Sequence, residues 1–419
     1  MERIFVPSEI GTLRKVIVHS PDDGISRISP RRAGELLFDD IVYLPQMQHE
    51  HRVFVQVLWQ FVGRENVLEV EDIIREALDH SPEGKKEILD MIMQFEELPS
   101  DYRQDLDRIG HRELAKVLIS GYLPETDTIL FDPIPNFIFT RDIAVVINDH
   151  VIISKAAKEA RYRENLLTRF SFWHHPLFEA MKEPGKIINL NIANQFPPSR
   201  KGEVVSIEGG DMMILNPQFF LVGCSERSTM HAFHSLKNVL FEKGVVENVV
   251  TIKIPQDRAF MHIDTVFTQI HENHIVAFEP IVMGGLSGYV EVYTREGSVR
   301  KYSTIQNFIL SEVNPKMEFI SAGGGESPYQ EREQWTDACN LLAVKPGVTL
   351  AYDRNVQTAK ALVERGYQIL SASDFLASCT NNPTFAHDLQ NTIITLPSAE
   401  LSRARGGSHC MSCPIIREG

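Results

Sequence analysis

From Phe131 onward one pattern recurs: two short apolar strands with a polar residue at the end of one, then a helix and another strand. Asp142-Ile-Ala-Val-Val-Ile with His150-Val-Ile-Ile-Ser is one copy. Met212-Met-Ile-Leu with Phe219-Phe-Leu-Val-Gly is a second, its helix near Arg227–Lys243. Thr265-Val-Phe-Thr-Gln-Ile with His274-Ile-Val-Ala-Phe is a third, and Leu341-Leu-Ala-Val with Val348-Thr-Leu-Ala-Tyr, followed by a helix over Asn355–Arg365, is a fourth. Identity between the copies is poor, so the repeat is one of structure rather than of residues. Such a repeat gathers the polar residues at one end of the strands, where a central site forms.

Bulk properties narrow the function classes. At 419 residues the chain can bury a large core, and its length predicts two or three domains. A content of 43% hydrophobic and 23% charged residues is ordinary for a soluble globular protein. The net charge of -14 argues against a nucleic-acid surface or an anionic membrane as partner, and weakly favours a cationic small molecule. No uncharged apolar run reaches the roughly 18 residues of a membrane span. The opening Met-Glu-Arg-Ile-Phe-Val-Pro has no signal-peptide apolar stretch. The five cysteines, 224, 339, 379, 410 and 413, are an odd number in a long chain, which argues against a disulfide framework and for a reducing cytoplasm.

Between Val70 and about Ser120 the periodicity becomes helical, with apolar residues at i, i+3, i+4 spacing in Val70-Glu-Asp-Ile-Ile-Arg-Glu-Ala-Leu and Gly84-Lys-Lys-Glu-Ile-Leu-Asp-Met-Ile-Met-Gln-Phe. The expected organisation is a helical subdomain, 70–124, inserted into a catalytic domain made of 1–69 and 125–419. Residues 280–330 are Gly-rich and take no assignment.

The chemistry-bearing residues cluster. Cys410 ends Arg405-Gly-Gly-Ser-His-Cys, and a neighbouring positive charge is one way to hold a thiolate near neutral pH. Cysteine is more often a small buried hydrophobe, but three further polar clusters sit in apolar surroundings: Asn136 to Asp142, Glu208-Gly-Gly-Asp211 and His262-Ile-Asp264. His262 and Asp264 stand two apart in a stretch that reads as strand, which places both on one face, where a histidine beside a carboxylate serves as acid and base. Cys410-Met-Ser-Cys413 has no second ligand pair, so no metal is expected, and Cys413 reads as packing. His49-Glu-His51 has the wrong spacing for a zinc protease and reads as surface. His174-His175-Pro176 reads as a helix end, and Gly323-Gly-Gly325 fits no phosphate loop.

In order and combination these clusters resemble the arginine deiminase family of the guanidine-modifying superfamily. The matching strings run nearly end to end: Ser8-Glu-Ile-Gly-Thr-Leu-Arg-Lys-Val, Leu36-Leu-Phe-Asp-Asp-Ile, Gln48-His-Glu-His, Pro135-Asn-Phe-Ile-Phe-Thr-Arg-Asp142, Ala160-Arg-Tyr-Arg-Glu164, Ile207-Glu-Gly-Gly-Asp211, Gly223-Cys-Ser-Glu-Arg227, Met261-His-Ile-Asp-Thr-Val-Phe267, Glu333-Gln-Trp335 and Arg405 to Cys410. The resemblance implies an α/β fold, a five-bladed propeller of ββαβ modules (the pentein fold) with an inserted helical subdomain. It implies hydrolysis of L-arginine to L-citrulline and ammonia without a cofactor. Cys410 would be the nucleophile, Asp142 and Asp264 the guanidinium ligands, His262 the acid and base, and Glu208 its orienting partner. Asn136, Arg161 and Arg227 would hold the α-carboxylate, Phe139 would line the substrate site, and Arg405 would gate it; whether Arg161 or Arg163 is the carboxylate ligand stays open. Because acids surround the thiol, Cys410 is expected to be protonated until a cation binds.

Three positions depart from the family pattern: Asn165, where threonine is common; Ser225, where glycine is common; and 285–290, in a region longer than usual that bears on the pocket mouth. The rivals are a hydrolase of another guanidino or ureido compound, such as citrulline, and a silent arginine-binding protein on the same scaffold. The expected partner is a small molecule, with no nucleic acid or membrane; a homo-oligomer is open.

Overall fold

Five sheets of the computed structural model, which describes residues 3–286 and 289–419, contain a three-stranded unit of one topology. In each unit two strands pair antiparallel, and the second pairs parallel with a strand that returns after a helical crossover. Ala144–Ile147 and His150–Ile153 take Ile187–Asn189 as third strand, with the Tyr162–His174 helix between. Met212–Asn216 and Phe219–Cys224 take Asn248–Lys253, with helix Met230–Lys243 between. Phe267–His271 and His274–Ala277 take Glu318–Ser321. Leu342–Lys345 and Val348–Tyr352 take Thr392–Leu396, with Gln368–Ser371 beyond it.

The fifth unit joins the two ends of the chain. Cys413–Arg417 pairs antiparallel with Leu13–Val18, which pairs parallel with Val67–Glu69 across the Leu44–Val62 helix. The repeat reading finds four copies and misses this one, because its first strand lies at the opposite end of the sequence. The inner strands are buried along all or nearly all of their length, as in Ala-Val-Val-Ile and Met-Met-Ile-Leu-Asn, so they carry continuous rather than alternating apolar runs.

Residues 280–330 resolve into a hairpin, Val290–Thr294 with Val299–Tyr302, that extends the outer edge of the Asn248–Lys253 sheet, followed by the Ile305–Phe308 helical turn. None of its described residues lines the cavity that Cys410 borders. In the 285–290 stretch, Ser287 and Gly288 lie outside the described residues. No helix of the described residues is long and apolar enough to cross a membrane.

Four helices fill the segment read as helical: Val70–His80, Pro82–Phe95, Tyr102–Arg108 and His111–Ser120. Ser81 caps the second by accepting from the Gly84 N–H, with Pro82 in its first turn. Ile73, Ile74, Ala77, Leu78, Ile88, Leu89, Ile92, Leu114 and Leu118 close a core continuous with that of the Ala144–Ile147 unit. Arg163 fastens the two parts, donating to Leu118 O at 3.0 Å, to Ile119 O at 3.2 Å and to Glu96 at 2.5 Å.

Where the units meet, the interior is polar. Arg141 and Glu9 pair at 2.7 Å with side chains 4% exposed each, and Arg417 donates to Gly11 O and Ala343 O. His49-Glu-His51 corrects the surface reading: His49 is exposed, but Glu50 and His51 are buried. Glu50 accepts the backbone N–H groups of Glu400 and Leu401, both at 2.9 Å, so its charge braces the turn before Arg405.

Candidate active site

Each inner strand is entered through a polar turn, and the turns converge. Thr140–Asp142 precedes one strand, Gly209–Asp211 a second and Ile263–Thr265 a third. Asn340 stands two residues before Leu342, and Cys410 three before Cys413. A cavity of about 30 Å³ lies among them. Of the ten site residues expected from sequence, it is lined by Asn136, Phe139, Asp142, Arg161, Glu208, Arg227, His262, Arg405 and Cys410, and by Leu37, Met261, Thr265 and Ala404. Asp264 stands behind the thiol instead.

That displacement corrects the strand reading of His262 and Asp264. The backbone makes a tight turn at Ile263–Thr265, and the strand begins at Phe267. Thr265 Oγ1 donates to His262 O at 2.7 Å, and Asp211 Oδ1 accepts the Ile263 N–H at 2.9 Å; both hold the turn. The two side chains therefore diverge. His262 Nε2 lies 2.9 Å from Glu208 Oε2 and its Nδ1 3.7 Å from Asp142 Oδ1. Asp264 Oδ2 lies 2.9 Å from His409 Nδ1 and 3.5 Å from Cys410 Sγ. The His262 ring packs close against Gly210, where an added Cβ would stand 2.5 Å from Nδ1.

Electrostatics assign charge states. Burial disfavours the imidazolium of His262, but Asp142, the hydrogen bond with Glu208, and Asp211 overcome it and raise its pKa to about 10. Burial works against the Glu208 carboxylate, yet His262, Arg161 and Arg227 hold it well below the usual range. For Cys410, burial comes first, then Asp264, Asp142 and Asp337, and together they push the thiol well above its ordinary value; the hydrogen bond from Asn340 opposes them. Among the described residues the thiol's hydrogen-bond partners are Asn340 and Asp264, not the residues that flank it in sequence. His409 bridges Asp264 and Glu9, and Arg405 stacks on Trp335 with its guanidinium carbon 3.4 Å from the ring centroid.

The cationic residues fall into two groups. Arg161 is engaged: Nη1 donates to Asp142 Oδ2 at 2.6 Å and approaches Glu208 Oε2 at 3.4 Å, and Nε donates to Glu164 at 2.9 Å. Arg163 points away, into the helical segment, so it is Arg161 that borders the cavity. Among the described residues Arg227 Nε and Arg405 Nε and Nη1 are buried nitrogen atoms with no hydrogen-bond partner, although Arg405 Nη1 stands 4.0 Å from Asp39. Asp264 Oδ1 is likewise buried and unpartnered. Unmet donors on two arginines that line the cavity, with an unmet acceptor behind its thiol, are what a zwitterionic ligand would satisfy. Asn136 gives its Nδ2 to Leu36 O at 2.7 Å, which ties the 33–43 loop to the cavity. Asp142, Glu208 and His262 present ligand atoms within 4.8 Å of one another, close enough for a cation; Arg161 Nη1 reaches two of the three.

Sequence reasoning missed Glu9, Asp337 and Asn340. Glu9 lies in the first matching string but far from every other polar cluster, and Asp337-Ala-Cys-Asn340 carries no recognisable spacing.

Known proteins share this arrangement of chain. A family model described as arginine deiminase matches residues 34–123 and 119–417. The arginine deiminase of Treponema denticola is 30% identical over 100% of this chain and 99% of its own. That of Limosilactobacillus fermentum is 32% identical over 99% of this chain and 98% of its own. Among solved structures, the product-bound N-terminal domain of ArgZ, an arginine dihydrolase from cyanobacteria, aligns with a TM-score of 0.51 at 14% identity, covering 97% of this chain and 98% of that one. Unliganded AgrE aligns at 0.52 and 13% identity, covering 97% and 40%. At such identities the likeness speaks for the α/β fold alone.

Proposed function

The chain belongs to the arginine deiminase family, and we propose that it hydrolyses L-arginine to L-citrulline and ammonia through a covalent adduct on Cys410. The observation that carries this is a buried thiol 3.5 Å from Asp264, sharing one cavity with Asp142 and with an imidazole held by Glu208.

The chemistry follows from the charges. Substrate guanidinium binds between Asp142 and Asp264, where Oδ1 of Asp264 offers an unused acceptor. Arg161 Nη1 yields its place on Asp142 to the incoming cation. The bound cation offsets both the acids and the burial that hold the thiol protonated, so Cys410 loses its proton to water as substrate binds. Sγ then attacks the guanidinium carbon. The imidazolium of His262 protonates the departing nitrogen, the C–N bond breaks, and ammonia leaves a thiouronium on Sγ. Neutral His262 next takes a proton from water, whose oxygen attacks the same carbon; the C–S bond breaks and the remaining hydroxyl proton passes to solvent, giving citrulline and the thiolate. Arg227, with its free Nε, takes the α-carboxylate together with Asn136 and Arg161, Phe139 packs against the substrate stem, and Arg405 gates the entrance.

The same reading arranges the five units as blades of a propeller, with 70–124 an inserted helical subdomain and 1–69 plus 125–419 the catalytic domain. The shared topology of the units, and the pairing of the first and last strands, support it.

Product analysis after separate incubation with L-arginine and L-citrulline tests the function. Citrulline and ammonia from arginine, lost in Cys410→Ala, are expected. Ornithine from citrulline with arginine untouched would overturn the assignment while keeping the thiol, and silence on both would leave a binding protein.

A further inference from the structure

We propose that Asn340 is a catalytic residue of this site: its carboxamide grips the nucleophile at two points, orienting Sγ and donating a hydrogen bond to the thiolate. This rests on Cys410 being the nucleophile. Asn340 Oδ1 accepts the backbone N–H of Cys410 at 2.9 Å, and Nδ2 donates to Sγ at 3.2 Å and to the backbone carbonyl of Asp264 at 3.2 Å. One side chain thus spans the thiol, its own main chain and the turn carrying the acid behind it. Asn340 is 1% exposed.

Its place in the repeat points the same way. The turns that enter four inner strands supply Asp142, Asp211, Asp264 and Cys410. Asn340 holds the corresponding position before Leu342, the inner strand of the remaining unit, two residues ahead of it as Asp142 is ahead of Ala144. Every unit therefore sends a polar side chain to the centre, and this one touches the reacting atom.

The residue type fits the task. The Cys410 N–H needs an acceptor and the thiolate a donor; a carboxamide offers both, a carboxylate only the first, an apolar side chain neither. Asp264, Asp142 and Asp337 already oppose ionisation of the thiol, so another acid here would deepen that opposition, whereas a neutral dipole relieves it. The close fit also accounts for one glycine of Arg405-Gly-Gly: a Cβ on Gly407 would collide with the backbone carbonyl of Asn340 and stand 2.8 Å from its Oδ1. The turn itself is fixed, with the Asn340 N–H donating to Asp337 O at 3.0 Å and the Leu341 N–H to Thr268 Oγ1 at 3.2 Å.

The test is the pH dependence of Cys410 alkylation by iodoacetamide in the substrate-free protein, followed on the Cys410 peptide by mass spectrometry, for wild type, Asn340→Ala and Asn340→Asp. The aspartate variant keeps the acceptor for the Cys410 N–H and serves if the alanine variant fails to fold. With a hydrogen bond to the charged sulfur lost, alkylation below the titration midpoint should slow about tenfold or more, and the midpoint should move to higher pH. In parallel, kcat for arginine should fall about 10²-fold, with KM held within about threefold. A merely structural Asn340 would loosen the site and leave alkylation unchanged or faster; that result overturns the proposal. Alkylation needs no turnover, so a protein inactive on arginine would refute the proposed function without deciding the role of Asn340.

Discussion

His262 and His19 are buried imidazoles that each sit between two acids, and they part company over what else is near. His262 lies between Glu208 and Asp142, beside the cavity that Cys410 lines. His19 lies between Glu69, at 2.7 Å, and Asp22, at 3.5 Å, where the Leu13–Val18 strand ends beside Val67–Glu69. In both, burial works against the charge and the acids prevail, raising the pKa to about 10. At His19 the same acid also takes the Ser20 N–H and hydroxyl, so Glu69 serves as a clasp between neighbouring strands. At His262 the imidazolium faces a site whose acids still have capacity for a ligand. A shifted histidine therefore marks burial among carboxylates; a reacting partner makes it a site.

Replacing each histidine breaks the comparison most sharply. His262→Asn should cut turnover by about 10²–10⁴-fold, since it removes both proton transfers. His19→Asn should leave kcat of the folded protein within about twofold, yet lower stability by ~2 kcal/mol, because it takes the charged partner from the half-buried Glu69. Steady-state kinetics and urea unfolding on the same two proteins measure both. Equal losses of activity would erase the distinction.

Next in size is the pH response of stability. Both histidines bind a proton more tightly when folded, so what they contribute is complete below about pH 6.5 and is lost as pH rises toward 10. His51 runs opposite: burial holds its pKa down at about 4, so its contribution is intact above about 6.5 and is lost as pH falls toward 4. Unfolding midpoints between pH 7 and 10 should fall less steeply in His19→Gln than in wild type. Parallel curves would show that the clasp does not titrate in this range.

A smaller effect is expected at Arg405, which lines the cavity. Arg405→Ala, which removes the guanidinium stacked on Trp335, should raise KM for arginine about tenfold with a lesser change in kcat. A fall in kcat alone would move Arg405 from binding to chemistry.

Much of this was legible from residues in order. The strands beginning near Ala144, Met212, Phe267 and Leu342 announce themselves by apolar runs, and the polar strings before them mark the converging turns. The joining of Leu13–Val18 to Cys413–Arg417 is not local, so periodicity could not find it. The divergence of His262 and Asp264 was hidden for a related reason: the turn between them is held by Asp211, from another unit. Likewise, neighbours in sequence misled at the thiol. Arg405 and His409 flank Cys410 along the chain, but the groups that set its ionisation arrive from Asp264, Asp142, Asp337 and Asn340.

The most direct test of the thiol chemistry is to mix the protein with excess L-arginine, quench with acid during turnover and map adducts on all five cysteines by peptide mass. The account predicts an adduct with the mass of arginine less ammonia on Cys410, absent from Cys410→Ala and longer-lived in a variant slowed at the hydrolysis step. Turnover with Cys410 unmodified throughout, or an adduct confined to another cysteine, would contradict it.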